Sequence, residues 1–245
     1  DLDTGIGQLL QRIEQLGISD NTYIIYTSDN GGKISSTTTD NSPLFSGKGG
    51  TWEGGVRVLM IVKGPGVEAG SVSDVPVISM DLFNTITELA GVTDPVSEDV
   101  EGASLVPLLD NSGQLPTGMT SLHRKYAPNG ELFFHYPHYT LPNGERTPAS
   151  AIRDGDFKLL RLYGENGQSD QIFLFNLSDN VTESNNPSAA VNLADDMPQK
   201  AATMHAKLEN WLQAVDASLA YDESDLSLIH ISEPTRRYAI SYAVF

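Results

Sequence analysis

The apolar positions at the start of the chain recur every three or four residues, which predicts an amphipathic helix over residues 3–16. Gly17 stands at the position expected for a helix C-cap. Later apolar runs predict buried strands over residues 22–28 and 56–62, followed by a helix over residues 80–90. This alternation of helices and strands predicts an α/β fold.

From about residue 130 the pattern changes to short strand signals separated by glycine and asparagine turns, which is typical of an antiparallel sheet. Asp154-Gly155-Asp156 is the clearest hairpin turn. A helix over residues 198–217 carries an apolar face that we expect to pack on this sheet. We therefore predict an α/β part over residues 1–125, a small α+β subdomain over 126–220, and a tail over 221–245. The four predicted strands lie at residues 131–136, 150–152, 157–163 and 171–176.

The first predicted strand runs into Asp29, Asn30, Gly31 and Gly32. In open parallel sheets, ligands bind beyond the carboxyl ends of the strands. Carboxylate and amide oxygens suit a hard cation such as Ca²⁺ or Mg²⁺, so Asp29 and Asn30 are candidate metal ligands. A plain Asx turn that ends a strand would have the same sequence.

A second glycine-rich stretch, G-K-G-G-T-W-E-G-G, occupies residues 47–55 and makes a helix there unexpected. Backbone that folds closely can surround a small anion, with Lys48 as the cation. The alternative for Lys48 is a solvated loop lysine.

T-S-D-N-G-G followed by G-K-G-G-T-W-E-G-G-V-R-V resembles the type I, formylglycine-dependent sulfatases of the alkaline-phosphatase-like superfamily. The resemblance implies that Asp29 and Asn30 complete a Ca²⁺ site, with Mg²⁺ also possible, and that Lys48 contacts sulfate oxygens. It implies the C-terminal part of an αβα sandwich, followed by a small antiparallel-sheet subdomain with a C-terminal helix. The family usually has R-V-P where this chain has Leu59, a departure that leaves the site residues untouched.

The motif F-H-Y-P-H-Y supplies two further candidates, His135 and His138. Histidine can donate to an anion or transfer a proton near neutral pH. Similar sulfatases carry H-Y-P-H-Y near the mouth of the pocket, which implies that His135 or His138 contacts substrate. A strand end with partly buried aromatic residues explains the same pattern.

The chain has 245 residues, a net charge of −17 and no cysteine. This charge disfavours general binding to nucleic acid or to an anionic membrane, and no apolar run is long enough for a membrane span. The acidity fits a saline environment, where salt screens surface repulsion. The resemblance implies a bacterial protein that is periplasmic or secreted, with a sulfated carbohydrate as its partner.

Residues 226–245 match the translation of adapter DNA used in short-read sequencing libraries, and we exclude them from fold reasoning. Within them, S-E-P-T-R at residues 232–236 fits the sulfatase nucleophile pattern S-x-P-x-R only by chance. In the family that motif lies upstream of T-S-D-N-G-G, so the nucleophile, a formylglycine, is expected before Asp1.

We therefore expect the parent protein to be a sulfatase that acts on a sulfated carbohydrate, with polysaccharide degradation as its role by analogy. We expect the chain as written to be inactive because it lacks the nucleophile. Two alternatives stay open: a phosphatase or phosphodiesterase of the same superfamily, and a non-catalytic glycan-binding module.

Overall fold

The structure, a computed structural model, describes residues 1–34, 39–138, 148–164, 169–183 and 192–218. The predicted tail over 221–245, including the S-E-P-T-R motif, lies outside the described residues.

The α/β part begins with helix α1 (Leu2–Gln15), as the apolar periodicity predicts. Gly17 follows it with φ +66°, a conformation that glycine adopts without strain. A 3₁₀ turn (Ser19–Asn21) leads into strand β1 (Ile24–Thr27). Strand β1 pairs antiparallel with strand β2 (Met60–Lys63), so this pair is not the parallel arrangement used in the sequence argument.

The predictions around residues 47–62 need two corrections. Residues Glu53–Val56 form a short helix, α2, where a helix was not expected. The second strand therefore starts at Met60 rather than at Val56. The reason is tertiary, since Gly54 N donates to Phe45 O (2.9 Å) and this contact turns the chain despite its glycines. Strand β1 is also only partly buried, because β2 is its one paired neighbour in the described chain.

Helix α3 (Asp81–Leu89) confirms the predicted helix over residues 80–90. A short helix, α4 (Val106–Leu109), follows it and packs beside it. The carboxylate of Asp81 accepts a hydrogen bond from Ile78 N (3.0 Å), in the turn before α3. Buried apolar side chains around α4 form a core that joins these elements; its members are Ala103, Leu105, Leu108 and Leu122.

Four antiparallel strands in the order β3-β4-β5-β6 form the second sheet, as the strand spacing predicts. Gly155, at φ +61°, makes the predicted hairpin between the second and third of these strands. Helix α5 (Pro198–Ala214) packs on one face of the sheet, with Met204, Leu208 and Trp211 buried. The domain boundaries at residues 125 and 220 stay a prediction. The four strands are β3 (Leu132–Tyr136), β4 (Ala149–Asp154), β5 (Phe157–Leu162) and β6 (Gln171–Asn176).

Both faces of this second sheet are covered. Phe133, Ile152 and Leu159 belong to the core under α5. The alternate positions Phe134 and Leu160 belong to a second core with Trp52 of the glycine-rich stretch, so the α/β part is packed on this other face. Among the helices in the described residues, none has the length and apolar character needed to cross a bilayer.

Candidate functional site

The turn after β1 presents the two candidate metal ligands. Asp29 is exposed and Asn30 is half-buried. Ser28 Oγ donates to Asn30 O (2.9 Å), and Asn30 Nδ2 donates to Gly31 O (3.0 Å). These local bonds hold the turn while the Asp29 carboxylate stays open to solvent, where a cation can reach it.

Backbone hydrogen bonds join this turn to the glycine-rich loop, which we define as residues 47–55. Gly31 N donates to Gly55 O (3.0 Å), and Lys48 N donates to Gly32 O (3.1 Å). A Cβ atom on Gly31 would lie 1.7 Å from Gly54 O, so only glycine allows this approach. The structure therefore brings the Asp29-Asn30 turn and the backbone of Lys48 together, with the Lys48 side chain exposed.

Asn41 holds the same two segments together through its side-chain amide. Its Oδ1 accepts from Gly32 N (2.9 Å), and its Nδ2 donates to Gly32 O (2.8 Å) and Ser46 O (3.0 Å). We did not predict this role. Asn41 lies in a run of polar loop residues, and nothing in that run distinguishes it from its neighbours.

Trp52 fixes the far side of the glycine-rich loop to the second sheet. Its ring makes an edge contact with Phe45, with centroids 4.9 Å apart. It also lies 5.8 Å from the ring of Phe173 and 6.0 Å from that of Phe175, both on β6. The loop that carries Lys48 is thus anchored by aromatic packing as well as by hydrogen bonds.

A buried ion cluster lies directly beyond Trp52. Lys158 Nζ on β5 is 2.9 Å from Glu53 Oε1 and 2.8 Å from Glu183 Oε1. Glu53 also pairs with Arg57 Nε, and its own backbone N donates to Glu183 Oε2. Burial alone would raise the pKa of Glu53, but Lys158 and Arg57 outweigh burial and hold this pKa at about 2.

Glu183 responds differently, because burial and the neighbouring Glu53 raise its pKa despite the attraction of Lys158. The sequence reasoning missed this cluster. The available signal was Lys158 itself, a charged residue inside the strand F-K-L-L-R-L.

The candidate His135 lies on the side of the second sheet that faces away from the glycine-rich loop. His135 follows Phe133 by two positions, which places it on the α5 face of the sheet, opposite Trp52. Its Nδ1 lies 2.7 Å from Ser150 Oγ and its Nε2 lies 2.6 Å from Ser218 O. Burial lowers the pKa of His135, and the hydrogen bond to Ser218 opposes this effect. Both ring nitrogens are therefore already bonded within the protein.

His138 lies in the bend after β3, where it is exposed and makes an edge contact with Tyr136 at 5.3 Å between ring centroids. Substrate contact by His135 or His138 stays a prediction.

The donor atoms at the turn suit a hard cation but supply only part of a coordination sphere. Asp29 offers a carboxylate and Asn30 an amide oxygen, whereas Ca²⁺ takes six to eight oxygen ligands in general. Within the described ranges, no group of three or more His, Cys, Asp or Glu side chains gathers around one point that could hold a metal. A cation at this turn would need further ligands.

Comparison with known proteins finds similarity in both sequence and fold. Residues 1–92 match the family model "Sulfatase". A "Sulfatase" of Formosa agariphila is 32% identical over 228 residues, which are 86% of this chain and 38% of that protein. The fold also matches two solved structures at TM-scores of 0.61 and 0.65. The first is 27% identical in sequence to this chain and covers 86% of it and 38% of its own length. The second is 28% identical and covers 85% of this chain and 40% of its own length.

The first of these structures was solved in complex with its substrate D-glucosamine-2-N,6-O-disulfate, and the second in complex with k-i-k-neocarrahexaose. The chain is thus a mixed α/β protein with antiparallel sheets of the kind found in these neighbours. Its residues 1–92 match the sulfatase family model, and the resemblance drawn from the two motifs is confirmed. The chain spans about 38% of the length of the Formosa relative.

Proposed function

We propose that the parent protein hydrolyses a sulfate ester on a carbohydrate, and that this chain supplies part of the sulfate and metal site. The observation that supports it most directly is the backbone connection between the Asp29-Asn30 turn and the loop of Lys48. It brings the oxygen-rich turn and the backbone of Lys48 into one region, from which the lysine side chain can reach a sulfate. The sulfatase family match and the sugar complexes of the two structural neighbours support the substrate class.

In this proposal Lys48 donates hydrogen bonds to the sulfate oxygens and stabilises the negative charge that develops on them. Asp29 and Asn30 hold a Ca²⁺ ion, with Mg²⁺ as the second choice. When bound, the cation polarises the sulfate as a Lewis acid. Asn41 keeps the two segments in register, so that the backbone at Lys48 is already in place when substrate arrives.

The attacking group in this proposal is a formylglycine that is not among these residues, so we propose that the chain alone does not turn over substrate. A periplasmic or secreted location is part of the same proposal and rests on the resemblance alone. Fractionation of cells that carry the full gene tests the location.

Sulfate binding by the 245-residue chain tests the role of Lys48. Inorganic sulfate and glucosamine 6-O-sulfate are titrated into the Lys48→Ala variant in the presence of Ca²⁺. A hydrogen bond to a charged group contributes about 1.5–3 kcal/mol, so we expect affinity to fall about tenfold or more. Lys63→Ala removes an exposed lysine from β2 and serves as the control. Equal losses in the two variants would show only an effect of net charge and would contradict the proposal.

Calcium binding tests the turn separately. We expect Asp29→Asn to weaken Ca²⁺ binding, whereas Asp20→Asn, an exposed aspartate in the preceding 3₁₀ turn, leaves it unchanged. Preference for Zn²⁺ and phosphate over Ca²⁺ and sulfate would favour the phosphatase alternative. Glycan binding that survives both Lys48→Ala and Asp29→Asn would favour the binding module.

A further inference from the structure

Lys158 lies in the middle strand pair of the second sheet, yet its charged atom bonds to the α/β part. Its side chain is 0% exposed, and it lies between Glu53 and Glu183. We infer that Lys158 is a positioning residue for the sulfate site: it acts through Glu53 and fixes the shape of the glycine-rich loop. This inference rests on the proposed function.

The connection from Lys158 to the site consists of direct contacts. Lys158 Nζ bonds to Glu53, which is followed at once by Gly54 and Gly55. Gly55 O accepts from Gly31 N, beside Asn30. A shift of Glu53 would therefore move the backbone groups that hold the Asp29-Asn30 turn.

The same shift reaches Lys48 by a second route. Gly54 N donates to Phe45 O (2.9 Å), and added atoms at Gly54 would clash with Phe45 O and Ser46 O at 2.3 and 2.4 Å. The backbone of Gly54 is thus packed directly against the backbone of Phe45 and Ser46, and no space is left between them. A movement of Glu53 would therefore pass to Phe45 and Ser46, which lead directly into the segment of Lys48.

Glu183, from a third part of the chain, is the third member of the buried ion cluster. Its carboxylate pairs with Lys158 and also accepts from Glu53 N, the first amide of the short helix α2. Glu183 is fully buried and has φ +45°, a backbone conformation that is uncommon for a residue other than glycine. Lys158 and Glu183 together hold Glu53 by its side chain and by its backbone.

The second sheet itself has no need of a charge at position 158. Its own core under α5 is built from the alternate positions, such as Leu159 and Leu174. On the sheet face that carries Lys158, the next side chain along the same strand is Leu160, which packs with Trp52. An apolar side chain of similar length would serve the sheet as well, because a buried ion pair gives little net stability over apolar packing. The charge of Lys158 is therefore explained by its contact with Glu53 at the glycine-rich loop.

The test uses the ¹⁵N-labelled 245-residue chain with Lys158→Met and the double variant Lys158→Met/Glu183→Gln. The double variant removes one charge of each sign, so no carboxylate is left uncompensated if the single variant fails to fold. Lys125→Met, an exposed lysine with no place in the cluster, is the matched control. The reporters are the amide signals of Gly31, Lys48, Gly54 and Gly55, and the indole signals of Trp52 and Trp211.

We expect the loop signals and the Trp52 indole to move in the Lys158 variants while the Trp211 indole, under α5, keeps its position. We expect sulfate affinity to fall about fivefold or more, within the range of coupling through a packed network. A folded double variant with wild-type loop signals, or with sulfate affinity within about twofold of wild type, would overturn the inference.

Lys48→Ala, measured alongside, separates the two proposals. If Lys48→Ala binds sulfate as the wild type does, the proposed function fails. The loop signals of the Lys158 variants still decide whether Lys158 fixes the shape of the glycine-rich loop, because they need no ligand.

Discussion

Asp81 offers the sharpest test of how the α/β part is held together. Its side chain is fully buried, and its carboxylate accepts hydrogen bonds from Ile78 N (3.0 Å), Ala103 N (2.9 Å) and Arg124 Nε (2.8 Å) and Nη2 (2.6 Å). Asp81→Asn keeps the shape but removes the charge and turns one acceptor into a donor. Arg124, with 3% of its side chain exposed, would then be an unpaired buried cation. Breaking such a pair costs about 3–5 kcal/mol.

Urea unfolding of the 245-residue chain, followed by tryptophan fluorescence, measures this cost. With a slope of about 2 kcal/mol per molar urea, the expected loss lowers the unfolding midpoint by about 2 M. Asp94→Asn, at an exposed aspartate, is the control and should change stability by less than about 0.5 kcal/mol.

A double-mutant cycle with Arg124→Met separates the ion pair from the backbone contacts. Removing both charges leaves no unpaired ion, so the double variant should be more stable than the sum of the single losses predicts. We expect a coupling energy of about 1–3 kcal/mol. Strict additivity, or an Asp81→Asn variant as stable as Asp94→Asn, would refute the reasoning.

Three further predictions concern the loop, the second sheet and pH. Gly54→Ala places a Cβ atom 2.3 and 2.4 Å from two backbone oxygens, so it should lower the free energy of unfolding, measured in urea, by more than about 3 kcal/mol. Gly5→Ala, where the added Cβ has no atom within 4 Å, is the control and should leave this free energy unchanged or raise it by up to about 1 kcal/mol. Leu208→Ala, fully buried under the sheet, should cost about 2–5 kcal/mol by the same assay, against less than about 1 kcal/mol for the exposed Leu9→Ala; similar losses at both positions would argue against the α5 packing. The folded-state pKa of Glu183 is raised above 4.5, so its contribution to stability is complete below pH 4.5 and is lost as pH rises through the folded-state pKa. As pH rises from 4.5 through that pKa, the wild type should therefore lose free energy of unfolding relative to Glu183→Gln. Parallel pH profiles of the two proteins would contradict the raised pKa.

The sequence by itself determined the elements whose signals are local. The periodicity of α1 and α5 and the Asp-Gly-Asp hairpin set those structures, because neighbours within a few residues control helix and turn formation. The pair of glycine motifs likewise predicted the family model that residues 1–92 match, and the loop that carries Lys48. Even so, α1 shows the limit of local signals, since none of its residues is buried in the described part of the chain.

Only the tertiary structure decided how the site is held. Helix α2 forms in a glycine-rich stretch because backbone contacts from distant segments turn the chain there. Glu53 meets Lys158 across 105 positions and Glu183 across 130, and no local pattern encodes such a meeting. The strand register decided that Lys158 faces the glycine-rich loop while His135 faces α5, because a one-residue change in alternation moves a side chain to the opposite face.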